Sequence, residues 1–149
     1  QIMETYEGGA HAYHATMPTD ALRHFRDALI EAEQFGLEAL KQAQIDLGRQ
    51  VRDLMLRYRY KSVAAEGFEA PSVVVCFAPN AEMKSGKAFA EQGLQIAAGV
   101  PLECGERADY ASFRIGLFGL DKLSDPKRTV SHLEAALEQI RGQNHAAEA

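Results

Sequence analysis

Two places in the sequence carry residue types suited to binding an anion. The first is Tyr13-His14-Ala15-Thr16, where hydroxyl donors stand in an irregular segment ahead of a helix. Phosphate accepts hydrogen bonds from hydroxyls and free backbone amides, so this segment suits a phosphate; it suits a plain capping turn as well. The second is Arg114, midway along an alternating apolar run and followed by Gly116 and Gly119. Its planar fork matches a carboxylate through two parallel hydrogen bonds, and glycine lets a ligand approach the backbone. An unpaired charge within a sheet is costly, so a partner is expected. A ligand carboxylate would serve, and so would an internal one such as Glu103 or Glu106. Residue chemistry leaves both pairs of readings open.

Other chemistries lack their residues. Ser85-Gly86-Lys87 hints at a phosphate loop, but Ala81 stands where its first glycine belongs and Ala88 replaces the Ser or Thr. Gly8-Gly9 has neither a third glycine nor a preceding strand, and no nucleophile elbow occurs. His11 and His14 are three apart without a third ligand at a metal-site spacing, so no metal is expected. Cys76 lies inside an apolar run and reads as a core residue.

The chain has 149 residues, 46% of them hydrophobic and 25% charged, the balance of an ordinary globular domain. A net charge of −5 argues against a nucleic-acid partner. No run approaches the ~20 apolar residues of a membrane span. Two cysteines, Cys76 and Cys104, make no disulfide framework, so a reducing cytoplasmic compartment is the expectation. The chain opens on Gln1 without a signal-peptide pattern, as a processed, engineered or trimmed polypeptide would.

The elements that must position the two candidates follow from periodicity. Residues 1–19 show no period and read as an irregular lead-in. Thr19 or Asp20 can cap a helix over roughly 20–35, whose stripe of Leu22, Phe25, Leu29 and Ala32 should find apolar partners within the chain. Beyond Gly36, a helix over roughly 37–58 buries Leu37, Leu40, Leu47, Val51, Leu54 and Tyr58, with Gln44 breaking the stripe and Arg52 on the outer faces. Residues 59–64 suggest a short strand, and the β-branched run Ser72–Ala78 a strand covered on both sides. A short helix at about 84–92 stops at Gly93, and a weaker strand spans Leu94–Val100. In the strand Ser112–Phe118, Phe113, Ile115 and Leu117 face one way and Arg114, Gly116 and Phe118 the other. Asp125-Pro126 starts the last helix, with Val130, Leu133, Leu137 and Ile140 buried and Gly142 as its end; 143–149 reads as a loose tail. The class is α+β: two N-terminal helices, then a small, mainly antiparallel sheet of three or four strands covered by helices on one face.

In this order the pieces resemble a family. Tyr-His-Ala-Thr-Met-Pro at 13–18, the two helices, and Ser-Phe-Arg-Ile-Gly-Leu-Phe-Gly at 112–119 are similar to the C-terminal portion of class V, fold type I aminotransferases, which use pyridoxal phosphate. The nearest branch is alanine/serine–glyoxylate (or pyruvate) aminotransferase, and the likeness runs from about residue 8 to about residue 141.

The resemblance implies that Tyr13 and Thr16 reach across a homodimer to the cofactor phosphate held by the neighbouring subunit. It implies that Arg114 binds the substrate α-carboxylate. Residues 1–19 become the interface and phosphate segment, and 20–142 the small domain. The family's cofactor-bearing lysine and its pyridine-facing aspartate belong to a large domain upstream of residue 1. None of Lys41, Lys61, Lys84, Lys87, Lys122 and Lys127 stands in such a setting. The chain therefore reads as a fragment of an enzyme moving an amino group between a small amino acid and a 2-oxo acid, inactive alone and not itself binding the cofactor, with no catalytic residue of its own. A stand-alone α+β module that binds a small carboxylate or regulates a partner is the other reading.

Overall fold

The computed structural model describes residues 2–12 and 16–147, and its contacts divide the chain after Gly36. The first unit holds α1 (Ile2–Glu7) and α2 (Thr19–Phe35). α1 corrects the expectation of an irregular lead-in: six residues before Gly8 close one and a half turns, and Gly8 and Ala10 donate back to Glu4 and Thr5. α2 begins where expected, but Pro18 occupies its N-cap and no side chain caps it, so neither Thr19 nor Asp20 plays that part. Its apolar stripe is also a correction. Leu22, Phe25 and Leu29 are 49%, 62% and 54% exposed, and no residue of α2 is buried.

The second unit begins with α3 (Leu37–Arg57), followed by β1 (Val73–Phe77), α4 (Ala81–Ser85) and α5 (Lys87–Ala90). Then come β2 (Ala97–Ala98), β3 (Ser112–Gly116), α6 (Leu120–Leu123) and α7 (Pro126–Ala147). The strands form one antiparallel sheet in the order β1-β3-β2, with β3 central. Val75 faces Arg114 across β1–β3, and Ala97 faces Arg114 across β2–β3. The α+β class and the small antiparallel sheet are as the sequence indicates.

One side of that sheet makes the core. Val74 and Cys76 of β1 and Phe113 and Ile115 of β3 alternate inward and meet Leu47, Val51 and Leu54 of α3 and Leu137 and Ile140 of α7. Phe89 of α5 closes the cluster against Phe113, with ring centroids 5.6 Å apart. Phe118, on the far side, stays 64% exposed.

The segment leading into β1 is strapped onto α3 by one helical face. Gln44 Nε2 donates to Pro71 O at 3.0 Å, and Arg52 Nη2 donates to Ala70 O at 2.6 Å and Val73 O at 3.0 Å. Gly48, between them on the i, i+4, i+8 row, lies directly under the strap: a Cβ there would stand 2.5 Å from Pro71 O. Arg52 is thus a clamp and not a solvated surface charge, and burial lowers its pKa. Gln44, which interrupts the apolar stripe, has the same task.

Several boundaries move. The strand expected at 59–64 reduces to a single bridge, Ser62 to Cys76. The helix expected at 84–92 is two short helices, because Gly86 takes a left-handed φ of 81° between them; Asn80 Oδ1 accepts Met83 N at 2.9 Å to start the first. The strand expected over 94–100 keeps two residues, Ala97 and Ala98. Asp125 Oδ1 accepts Arg128 N at 3.0 Å with Pro126 in the first turn, as Asp-Pro predicts, but α7 continues through Gly142 to Ala147.

Candidate functional site

Arg114 sits at the middle of the middle strand. Alternation sends Phe113 and Ile115 into the core, so the guanidinium leaves on the opposite side, between Val75 and Ala97. Its Nε donates to Ala98 O at 2.9 Å. That bond anchors one edge of the guanidinium on β2 and leaves the Nη edge for another acceptor. Among the described residues, no carboxylate pairs with Arg114.

The two internal partners considered for it are engaged or apart. Glu106 turns back on its own loop, accepting from Leu102 N at 2.6 Å, Glu103 N at 2.9 Å and Cys104 N at 2.9 Å. Those amides, the Cys104 N–H first, hold its pKa down to about 2. Glu103 has a φ of 55°, the left-handed turn that brings the three N–H groups together. Glu103 makes no ion pair with Arg114. Nearby, Arg107 forks onto Asp109 at 2.9 and 3.2 Å, so the local charges are paired within the loop.

A hollow of about 550 Å³ opens between this loop and the start of β3. Ser112, two residues before Arg114 on the same strand face, lines it with Gly99, Lys84 and Tyr110; Arg114 lies outside its lining. Gly99 is required there, since a Cβ would meet Ser112 O at 2.2 Å. Tyr110 goes unread in the sequence and Lys84 reads only as a lysine outside a cofactor setting, since nothing in their spacing ties them to Arg114.

Of the other candidates, Tyr13, with His14 and Ala15, lies outside the described residues. Thr16 is described, exposed, and belongs to the first unit, whereas Arg114 belongs to the second. None of the six lysines is buried; Lys41 pairs with Glu38, Lys87 with Glu82 and Glu91, and Lys122 with Asp121. Cys76 is fully buried, and burial pushes its thiol up to about 11, as befits a core residue. Among the described residues, no helix is long and apolar enough to cross a membrane.

Comparison with known proteins matches this architecture. No protein-family model matches the sequence, and none of the curated proteins does. Among solved structures, the crystal structure of alanine–glyoxylate aminotransferase from Nostoc sp. superposes with a TM-score of 0.68 at 21% identity. The alignment covers 93% of this chain and 35% of that one, so this chain spans about a third of its neighbour. The fold is aminotransferase-like.

Proposed function

We propose that this chain is the C-terminal, substrate-anchoring part of a pyridoxal-phosphate-dependent aminotransferase of class V, fold type I, in the alanine/serine–glyoxylate (or pyruvate) branch. Residues 20–142 serve as its small domain, 1–19 as the interface segment and 143–149 as the trailing end. The enzyme moves an amino group between a small amino acid and a 2-oxo acid, works as a homodimer and resides in the cytoplasm.

The observation that supports this reading most is Arg114. A guanidinium fixed by Nε to Ala98 O presents its Nη pair as a rigid fork, away from a packed core. Both substrates carry a carboxylate next to the reacting carbon, and a two-point bond to it fixes where that carbon lies. Val75 and Ala97 stand opposite Arg114 on the two neighbouring strands.

On this reading the chain supplies contacts to the phosphate end of the cofactor and not to its reacting end. The Thr16 hydroxyl, and that of Tyr13, would hold the phosphate across the dimer. No lysine of this chain lies in an enclosed pocket, the setting in which an amine loses its proton and bonds a carbonyl. When bound, the cofactor supplies the electron sink for amino transfer. This chain anchors the carboxylate and does not transaminate alone.

Incubation with pyridoxal phosphate, borohydride reduction and peptide mapping tests the assignment. Sub-stoichiometric labelling scattered over the lysines is expected. A stoichiometric adduct on a single lysine would overturn the fragment reading.

A further inference from the structure

β2 stops short. It pairs with β3 only through Ala97 and Ala98, so Gly116 has Val73 of β1 on one side and no strand on the other. A cleft of about 290 Å³ opens there, between the end of β3 and the start of α7. Its wall is the core itself: Ile115, Leu117 and Leu133 line it, although each is otherwise no more than 6% exposed. Its rim carries three basic side chains, Lys122, Arg128 and His132.

The rim's charge is open to a ligand. Arg128 gives one Nη2 hydrogen bond to Asp121 O at 3.0 Å, and among the described residues no carboxylate pairs with it or with His132. The one acid lining the cleft, Asp121, is already 3.1 Å from Lys122 Nζ. Lys122, Arg128 and His132 against one acid make a locally basic rim on a chain of net charge −5. A concave apolar wall beside a small number of charged groups is the usual make-up of a small-molecule site.

We propose that this cleft binds a small aliphatic monocarboxylate, its chain laid on Ile115, Leu117 and Leu133 and its carboxylate on Arg128, with Lys122 adding positive potential and His132 a ring N–H at the rim. The site is separate from Arg114, which leaves β3 on the opposite face, and it stands independently of the aminotransferase reading.

Titration of the full chain with hexanoate, followed by calorimetry and methyl NMR, tests it. Saturable binding is expected, with shifts at Ile115, Leu117 and Leu133. Affinity should rise about fourfold per methylene from acetate to hexanoate, the worth of one buried CH₂. Arg128→Gln should weaken hexanoate about fivefold or more, Lys122→Gln should weaken it in the same direction, and hexanol should bind about fivefold less tightly than hexanoate. Arg114→Lys should leave the affinity unchanged. Equal affinity for acetate and hexanoate, indifference to both rim variants, or shifts confined to the Arg114 face would each overturn the site.

Discussion

Alanine in place of glycine should act with opposite signs at two helical positions of this chain. In an open helix the exchange stabilises by about 0.5–1 kcal/mol, because alanine loses less backbone entropy on folding. A methyl group on Gly142 of α7 would find nothing within 4 Å, so Gly142→Ala should gain that amount. Gly48 of α3 differs. A Cβ there would stand 2.5 Å from Pro71 O and 3.1 Å from Pro71 Cα, both backbone atoms that cannot swing aside. Inserting carbon into such a contact costs about 1–3 kcal/mol. Lifting the strap also strains the Gln44 bond to Pro71 O, and a typical hydrogen bond contributes about 1 kcal/mol. The losses exceed the propensity gain, so Gly48→Ala should destabilise by about 1–3 kcal/mol. For a domain of this size that is a fall in Tm of about 2–4 °C per kcal/mol, while Gly142→Ala should raise Tm by a few degrees. Urea titration of both variants, with unchanged slopes, gives the comparison. A Gly48→Ala protein as stable as the parent would refute the tight contact between α3 and the strap.

Arg52→Met should cost about 1–3 kcal/mol by removing the clamp on Ala70 O and Val73 O, and amide exchange should quicken over residues 66–73. Glu106 should make stability pH-dependent. Its pKa falls on folding from the ordinary 4.5 to about 2, so its contribution is complete above pH 4.5 and is lost as pH drops from there towards 2. Glu106→Gln should flatten the urea midpoint across that window, and an unchanged slope would count against the loop geometry. At pH 8 a thiol reagent should modify Cys104, which is exposed, promptly, and Cys76, which is buried and raised to about 11, only on unfolding.

Periodic apolar residues made much of the fold readable before its structure. Leu47, Val51 and Leu54 of the α3 stripe, the inward Phe113 and Ile115, and the Asp125-Pro126 start each depend on local spacing and came out where spacing puts them, whereas Leu37, expected in the same stripe, is 68% exposed at the first turn of α3. What spacing does not encode came out otherwise. The α3 row Gln44, Gly48 and Arg52 reads as surface until the strap at 70–73 is laid over it, a contact between residues distant in sequence. Leu22, Phe25 and Leu29 have the pattern of a buried stripe, but no residue of α2 is buried, since pattern shows which side is apolar and not what covers it. The placement of Arg114 was legible from strand alternation. Its bond to Ala98 O was not, because the two-residue β2 carries almost no sequence signal.

The central claim is that Arg114 anchors a substrate carboxylate, and Arg114→Lys in the intact enzyme tests it most directly. Lysine keeps the charge but loses the paired fork, and tenfold in affinity corresponds to about 1.4 kcal/mol, less than one charged hydrogen bond at its upper range. Steady-state kinetics should show KM rising about tenfold or more for both the amino donor and the 2-oxo acid. Unchanged KM values for every donor and acceptor would contradict the account.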